Sequence, residues 1–194
     1  MPFLNYTIII DIIFNSNEYP RVYGISCDLS IKEGRSKLQN SISSIFNNKL
    51  HGLINNVGTN IRKSIMEQTS EEYHLMMKTN IDSVYFLCKE LQSCFVQGES
   101  SVVNVASAAG VQSSGTGAVY GMSKAAMIQL TKILGCEWAK YGIRVNAVAP
   151  WCTMTPLLEA SYQSEEQKKG LDKVKQWTPM KRLATPVSSI SYTL

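Results

Sequence analysis

The stretch SSVVNVAS (100–107), with the Gly/Ser-rich loop behind it (108–117) and a long helical pattern at 120–141, decides how this chain folds. β-Branched residues crowd the first segment, which reads as a strand ending at Ser107. The helical pattern stops at Gly142, and IRVNAVAP (143–150) follows at once as another strand, closed by its proline. Near-continuous apolar strands joined through a helix mark a parallel sheet covered on both faces.

The same alternation repeats outward from there. VYGISCDL (22–29) reads as a strand, residues 31–48 as a polar helix, and HGLINNVG (51–58) as a strand running into a turn. Residues 70–97 carry a long helical pattern, with Ser70, Glu71 and Glu72 suited to its first turn. Met76, Met77, Phe86, Met127 and Leu130 recur at helical spacing and are expected in the core or at a subunit interface. The segment from Pro156 to Trp177 is expected to be a lid loop, with Leu157, Leu158, Tyr162 and Trp177 lining an apolar pocket. The fold class is α/β.

Composition narrows the function classes. A chain of 194 residues with 44% hydrophobic content can bury one core, so one domain is expected. The net charge of +4 is modest and its signs are interspersed, which argues against a nucleic-acid partner. Cys27, Cys88, Cys94, Cys136 and Cys152 form no CxxC pair, and read as free thiols of a reducing, cytoplasmic compartment. His51 and His74 stand isolated, so no metal site is expected. FLNYTIIIDIIF (3–14) is apolar, but no basic residue precedes it and Asp11 interrupts it. It also falls short of the ~20 residues that span a bilayer, so a strand or isolated apolar segment is expected and no membrane association.

The chemistry concentrates around YGMSK (120–124). Tyr120 and Lys124 are one helical turn apart, so their side chains leave the same face. A lysine beside a phenol favours the phenolate and is expected to lower the phenol's pKa from ~10. Such a tyrosine can donate or accept a proton near neutral pH. Taken alone, the pair reads as a solvated helix pair. Ser107 changes that reading, because it closes a strand at the end where open α/β sheets present ligand-contacting residues. Its hydroxyl and the phenol can converge on one carbonyl oxygen, as hydride transfer to a ketone requires. Ser107 as a plain strand-end turn residue remains the alternative.

NNVG (55–58), Asn80, Ser107, YGMSK (120–124) and IRVNAVAP (143–150) together resemble the short-chain dehydrogenase/reductase family, in order and spacing. The likeness covers residues 22–182. NNVGTNIRK (55–63), CEWAKYGIRVN (136–146) and APW (149–151) look most like the plant tropinone-reductase-like group, as do Trp151 in place of a glycine and Val57 in place of an alanine. The resemblance implies a Rossmann-like doubly wound parallel sheet and an NADP(H)-dependent carbonyl reductase, with NAD(H) still open. It implies Tyr120 as general acid in reduction and general base in oxidation, and Ser107 as the holder of the substrate oxygen. Lys124 would bind the nicotinamide ribose and tune Tyr120, while Asn80 would anchor a water in a proton relay. Asp28 would contact the adenine, Asn55 and Gly58 would border the adenosine half, and Pro150 to Thr155 would cover the nicotinamide. A homodimer or tetramer through the two long helices is implied too, or hetero-association with full-length relatives. Read without the resemblance, Asn80 is a buried polar residue satisfied by backbone, and Asn55 carries a structural role between strands.

The departures from the family pattern are as specific. The twenty-one residues before Val22 contain no glycine, whereas the family places a G-x-x-x-G-x-G phosphate turn ahead of the Asp28 strand. YTIIIDIIF (6–14) lies only seven residues, NSNEYPR, from the next strand, and a parallel crossover needs about ten to twelve. The expectation is therefore an atypical segment at 1–21 and a partial domain at 22–182 that lacks the usual first strands and last edge strand. A tail at 183–194 follows TPMKRLATP (178–186) with SSISYTL. An altered gene model, a splice form or a pseudogene product would each give this pattern. Weak stability, or dependence on a partner, is expected with it.

Overall fold

The structure is a computed structural model that describes residues 24–155, 158–159 and 165–185. The N-terminal apolar run, Leu157, Tyr162 and the tail from 186 lie outside the described residues. Three strands form a parallel sheet in the order of the chain: β1 (Gly52–Asn55), β2 (Ser101–Val105) and β3 (Arg144–Val148). Register runs from Gly52 opposite Ser101 to Asn55 opposite Asn104, and from Ser101 opposite Arg144 to Val105 opposite Val148. Crossovers between parallel strands are right-handed, so this order puts the helices that follow β1 and β2 on one face.

Those helices are the ones the spacing predicts, with α1 before them. α1 (Lys32–Phe46) precedes β1 and ends on Asn47 in the left-handed conformation, φ 51°. α2 (Ser70–Met77) opens on a capping box in which the Thr69 hydroxyl accepts from Glu72 N and the Glu72 carboxylate accepts from Thr69 N. It runs into a π-helical turn at Lys78–Asp82 and then into α3 (Ser83–Leu91). α4 (Ala118–Trp138) follows β2 and is stopped by Gly142, φ 68°. α1 packs on α3, and α4 packs on α2, the π turn, β2 and β3.

Burial alternates along β1 and β2, as a pleated strand requires. Leu53, Asn55, Val102 and Asn104 face the helices and are fully covered, while Ile54 and Val103 are half-buried. Leu38, Ile42, Leu50, Leu87, Leu91 and Met127 complete the core between sheet and helices. Met76 joins the buried set, Leu130 packs on the core, and Phe86 is 37% exposed beneath the Arg35 guanidinium at 4.8 Å. The Arg35 guanidinium also reaches Glu90 at 3.1 Å and Leu29 O, tying α1 to α3.

Three expectations are corrected. Gly24–Asp28 is irregular rather than a strand, because no described strand lies beside it to complete a ladder. Part of the expected lid loop is helical: α5 spans Glu165–Trp177, with i,i+3 pairs Lys168–Glu165 and Lys175–Asp172 along it. Trp177 is 74% exposed, so its ring lines no enclosed pocket. The histidines also have partners, His51 with Glu99 at 3.6 Å and His74 with Ser70. All five cysteines are free thiols. Among the described residues, no helix is long and apolar enough to cross a membrane.

Candidate active site

β2 delivers Ser107 just past its C-terminal end, and the loop that follows is held there by backbone. Ser107 caps a 3-10 turn (Ala108–Gly110) by accepting from Ala109 N at 3.2 Å, and Ala108 N donates to Pro150 O at 3.0 Å. Gly110 lies so close to α4 that a Cβ there would meet Lys124 backbone at 2.6 Å. The chain then enters α4 through Gly117, at φ 94°, where a Cβ would meet Lys63 O at 3.2 Å. Glycine at this corner lets the 59–63 loop, the Ser107 loop and the first turn of α4 converge.

Tyr120 is half-buried in that first turn. Its phenol pKa is raised above the usual 10: burial dominates, and the Ser107 hydroxyl and the Arg62 charge pull the other way. The expected lowering by Lys124 is corrected on this point. The Lys124 ammonium lies 5.8 Å from the Tyr120 ring centre and donates to Val105 O at 2.8 Å, so its contact is with the strand rather than the phenol oxygen. At 3% exposure, burial pulls Lys124 from 10.5 down to about 8. With its pKa raised, the phenol stays protonated at neutral pH but is a weaker acid than a free tyrosine.

Asn80 occupies the π turn, fully buried. Its Oδ1 accepts from Thr59 N at 2.8 Å; its Nδ2 donates to Thr59 O at 2.9 Å and to Ser123 Oγ at 3.0 Å. Both ends of the amide are thus held by the loop after β1 and by α4, which is the backbone-satisfied reading of this residue. A π turn inserts a residue into the helical ladder, and such turns recur at functional sites. Gly58 stands over this group: a Cβ there would lie 3.4 Å from Lys124 Nζ and 3.5 Å from Asn80 Oδ1.

Gly58, Asn80, Ser107, Tyr120 and Lys124 therefore come together, with Pro150 bonded to the Ser107 loop. The other expected residues lie apart from that centre. Asn55 is buried within the sheet, donating to Asn104 Oδ1 at 2.8 Å and to Cys88 Sγ at 3.5 Å. Asp28 Oδ1 accepts from the Ser30 amide and hydroxyl at the entry to α1. Thr155 Oγ1 accepts from Leu158 N at 3.3 Å.

Sequence reading missed Arg62, Asn60 and Ser123. The Arg62 charge pulls the pKa of both Tyr120 and the half-buried Cys152 thiol down against the larger effect of burial. Asn60 Oδ1 is buried without a hydrogen-bond partner among the described residues. The exposed turn at Gly58 beside the Lys124 ammonium fits a hydroxyl-bearing ligand such as a ribose.

A protein-family model described as enoyl-(acyl carrier protein) reductase matches residues 15–192. The chain belongs to the short-chain dehydrogenase/reductase family. Among curated members, a tropinone reductase homolog of Datura stramonium is 44% identical over 173 residues, covering 88% of this chain and 65% of that one. A tropinone reductase homolog of Arabidopsis thaliana is 42% identical, covering 81% of this chain and 59% of its own length. The chain thus spans about three fifths of these short-chain dehydrogenase/reductase relatives. Among solved structures, a short-chain dehydrogenase/reductase of the glucose/ribitol dehydrogenase type from Brucella melitensis aligns with a TM-score of 0.80 at 29% identity, covering 89% of this chain and 67% of the other. A xylitol dehydrogenase with bound NAD+ aligns with a TM-score of 0.77 at 25% identity, covering 87% and 69%. The α/β sheet is accordingly a Rossmann-type sheet.

Proposed function

We propose that this protein is an oxidoreductase that reduces the carbonyl of a small cyclic ketone, of alkaloid, terpenoid or similar secondary-metabolite type, using NADP(H). The observation that carries the proposal is the placement of buried Lys124, one turn after Tyr120 on α4 and bonded to Val105 O, beside Ser107 at the C-terminal end of a parallel strand. The nicotinamide cofactor, when bound, supplies the hydride. Ser107 and Tyr120 hold the carbonyl oxygen with two donors, and Tyr120 delivers the proton as alkoxide develops. Lys124 and Gly58 bind the nicotinamide ribose, and Asn80 keeps the loop that carries Gly58 against α4. Asp28 and Asn55 border the adenosine half, and Pro150 to Thr155 cover the nicotinamide. Preference for NADP(H) over NAD(H) rests on the likeness to the tropinone reductase homologs.

We assign the protein to the cytoplasm on its free thiols, although one Arabidopsis relative is named chloroplastic. The partly exposed Tyr85 and Phe86 of α3 and Met122 and Ile133 of α4 support a homodimer or tetramer through the long helices, or pairing with longer relatives. Calorimetry with NADPH and then NADH tests the proposal. Micromolar NADPH binding is expected. A folded chain that binds neither nucleotide would contradict it and favour a non-catalytic partner subunit.

A further inference from the structure

α4 begins without the usual fixings. Its N-cap is Gly117, which offers no side chain to bond the first amides, and no side-chain cap is present. Tyr120 nevertheless sits in this first turn, where fraying would move its hydroxyl away from Ser107. One side chain ties the turn down from inside. Ser123, fully buried, donates its hydroxyl proton to Tyr120 O at 2.8 Å and accepts from Asn80 Nδ2 at 3.0 Å. Asn80 in turn grips both backbone polar atoms of Thr59. The Ser123 hydroxyl is therefore the joint between the π turn, the loop after β1 and the turn that carries the phenol.

We propose that Ser123 is a positioning residue, holding the first turn of α4 so that Tyr120 stays in register with Ser107. This rests on the dehydrogenase reading of the site, but the consequence can be measured without turnover. Ser107 pulls the Tyr120 pKa down against burial. If Ser123 holds the phenol in place beside Ser107, removing its hydroxyl weakens that pull and the phenol holds its proton to higher pH. Hydroxyl loss that only lowered global stability would leave the titration of the folded protein where it was.

The test is a spectrophotometric phenol titration taken as the difference between each protein and the same protein carrying Tyr120→Phe, within the pH range where both stay folded. Ser123→Ala is expected to move the Tyr120 titration upward by about one pH unit, tenfold in proton affinity. Ser123→Thr, which keeps the hydroxyl, is expected to restore it. Should Ser123→Ala fail to fold, Ser123→Cys keeps the volume with a weaker donor, and a smaller upward shift is expected from it. A folded Ser123→Ala or Ser123→Cys that titrates with the parent overturns the proposal. Failure of the dehydrogenase reading is distinguishable, because it leaves the titration shift in place and removes only ketone reduction.

Discussion

Asn55 and Asn104 meet at 2.8 Å between β1 and β2, and Asn104 passes the chain on to Thr131 of α4, also at 2.8 Å. Two helical turns earlier, Lys124 and Ser123 of α4 join Asn80 of the π turn in a second buried polar set. The first set is neutral and every member bonds another side chain or a helical carbonyl, with Thr131 closing it onto Met127 O. It behaves as a register device, since a strand slip of one residue would strand two buried amides. The second set contains a buried ammonium whose hydrogen bond within the protein is to the carbonyl of Val105. A charge kept at such expense in a fold that could have used an apolar residue points to chemistry rather than to stability.

That contrast can be broken from either side. The largest effect is expected at Tyr120: Tyr120→Phe removes the proton donor and should lower ketone reduction by about 10²–10⁴-fold, while the melting temperature stays close to that of the parent. Asn104→Ala should do the reverse. It leaves the Asn55 amide without its acceptor inside the sheet and should cost about 2–3 kcal/mol in a denaturant titration, with cofactor affinity little changed.

Lys124 sharpens the comparison through pH. Its proton leaves near pH 8 in the folded chain, against 10.5 for a free lysine side chain. Between those values the unfolded chain holds a proton that the folded chain has released, so stability rises with pH across that window. Below pH 8 the penalty is constant and the slope disappears. Lys124→Met should therefore raise stability at pH 7 by up to about 3 kcal/mol, flatten the rise above pH 8, and abolish reduction. The smallest effect belongs to the surface: breaking the exposed His51–Glu99 pair with Glu99→Gln should change stability by under about 1 kcal/mol and activity not at all.

The unequal legibility of the two sets has physical causes. Ser107, Tyr120 and Lys124 could be read from the sequence because strand ends and i,i+4 helix neighbours are local relations. The three described strands could be read for the same reason: β-branched runs bounded by Gly142, Pro150 and NNVG announce themselves. Ser123 and Arg62 could not, because their roles depend on which loop the tertiary fold brings alongside. The π turn at Lys78–Asp82 was hidden inside a continuous helical pattern, as a one-residue insertion leaves the apolar spacing almost unchanged. Raising rather than lowering of the Tyr120 pKa also escaped the sequence, since burial is a property of the packed site. α5 was missed because EEQKKGLDKVKQW is polar on most sides and carries Gly170, so it reads as loop until its charge pairs are seen.

The most direct test is transfer of a labelled hydride. The chain would be incubated with NADPH deuterated at C4 of the nicotinamide and a panel of small cyclic ketones, with Tyr120→Phe in parallel. Deuterium at the carbinol carbon of an alcohol product, formed by the parent chain and lost with Tyr120→Phe, is the predicted result. A folded, NADPH-binding chain that moves no deuterium to any ketone, or moves it equally well without the Tyr120 hydroxyl, would contradict the assignment of Ser107, Tyr120 and Lys124 as a carbonyl-reducing site.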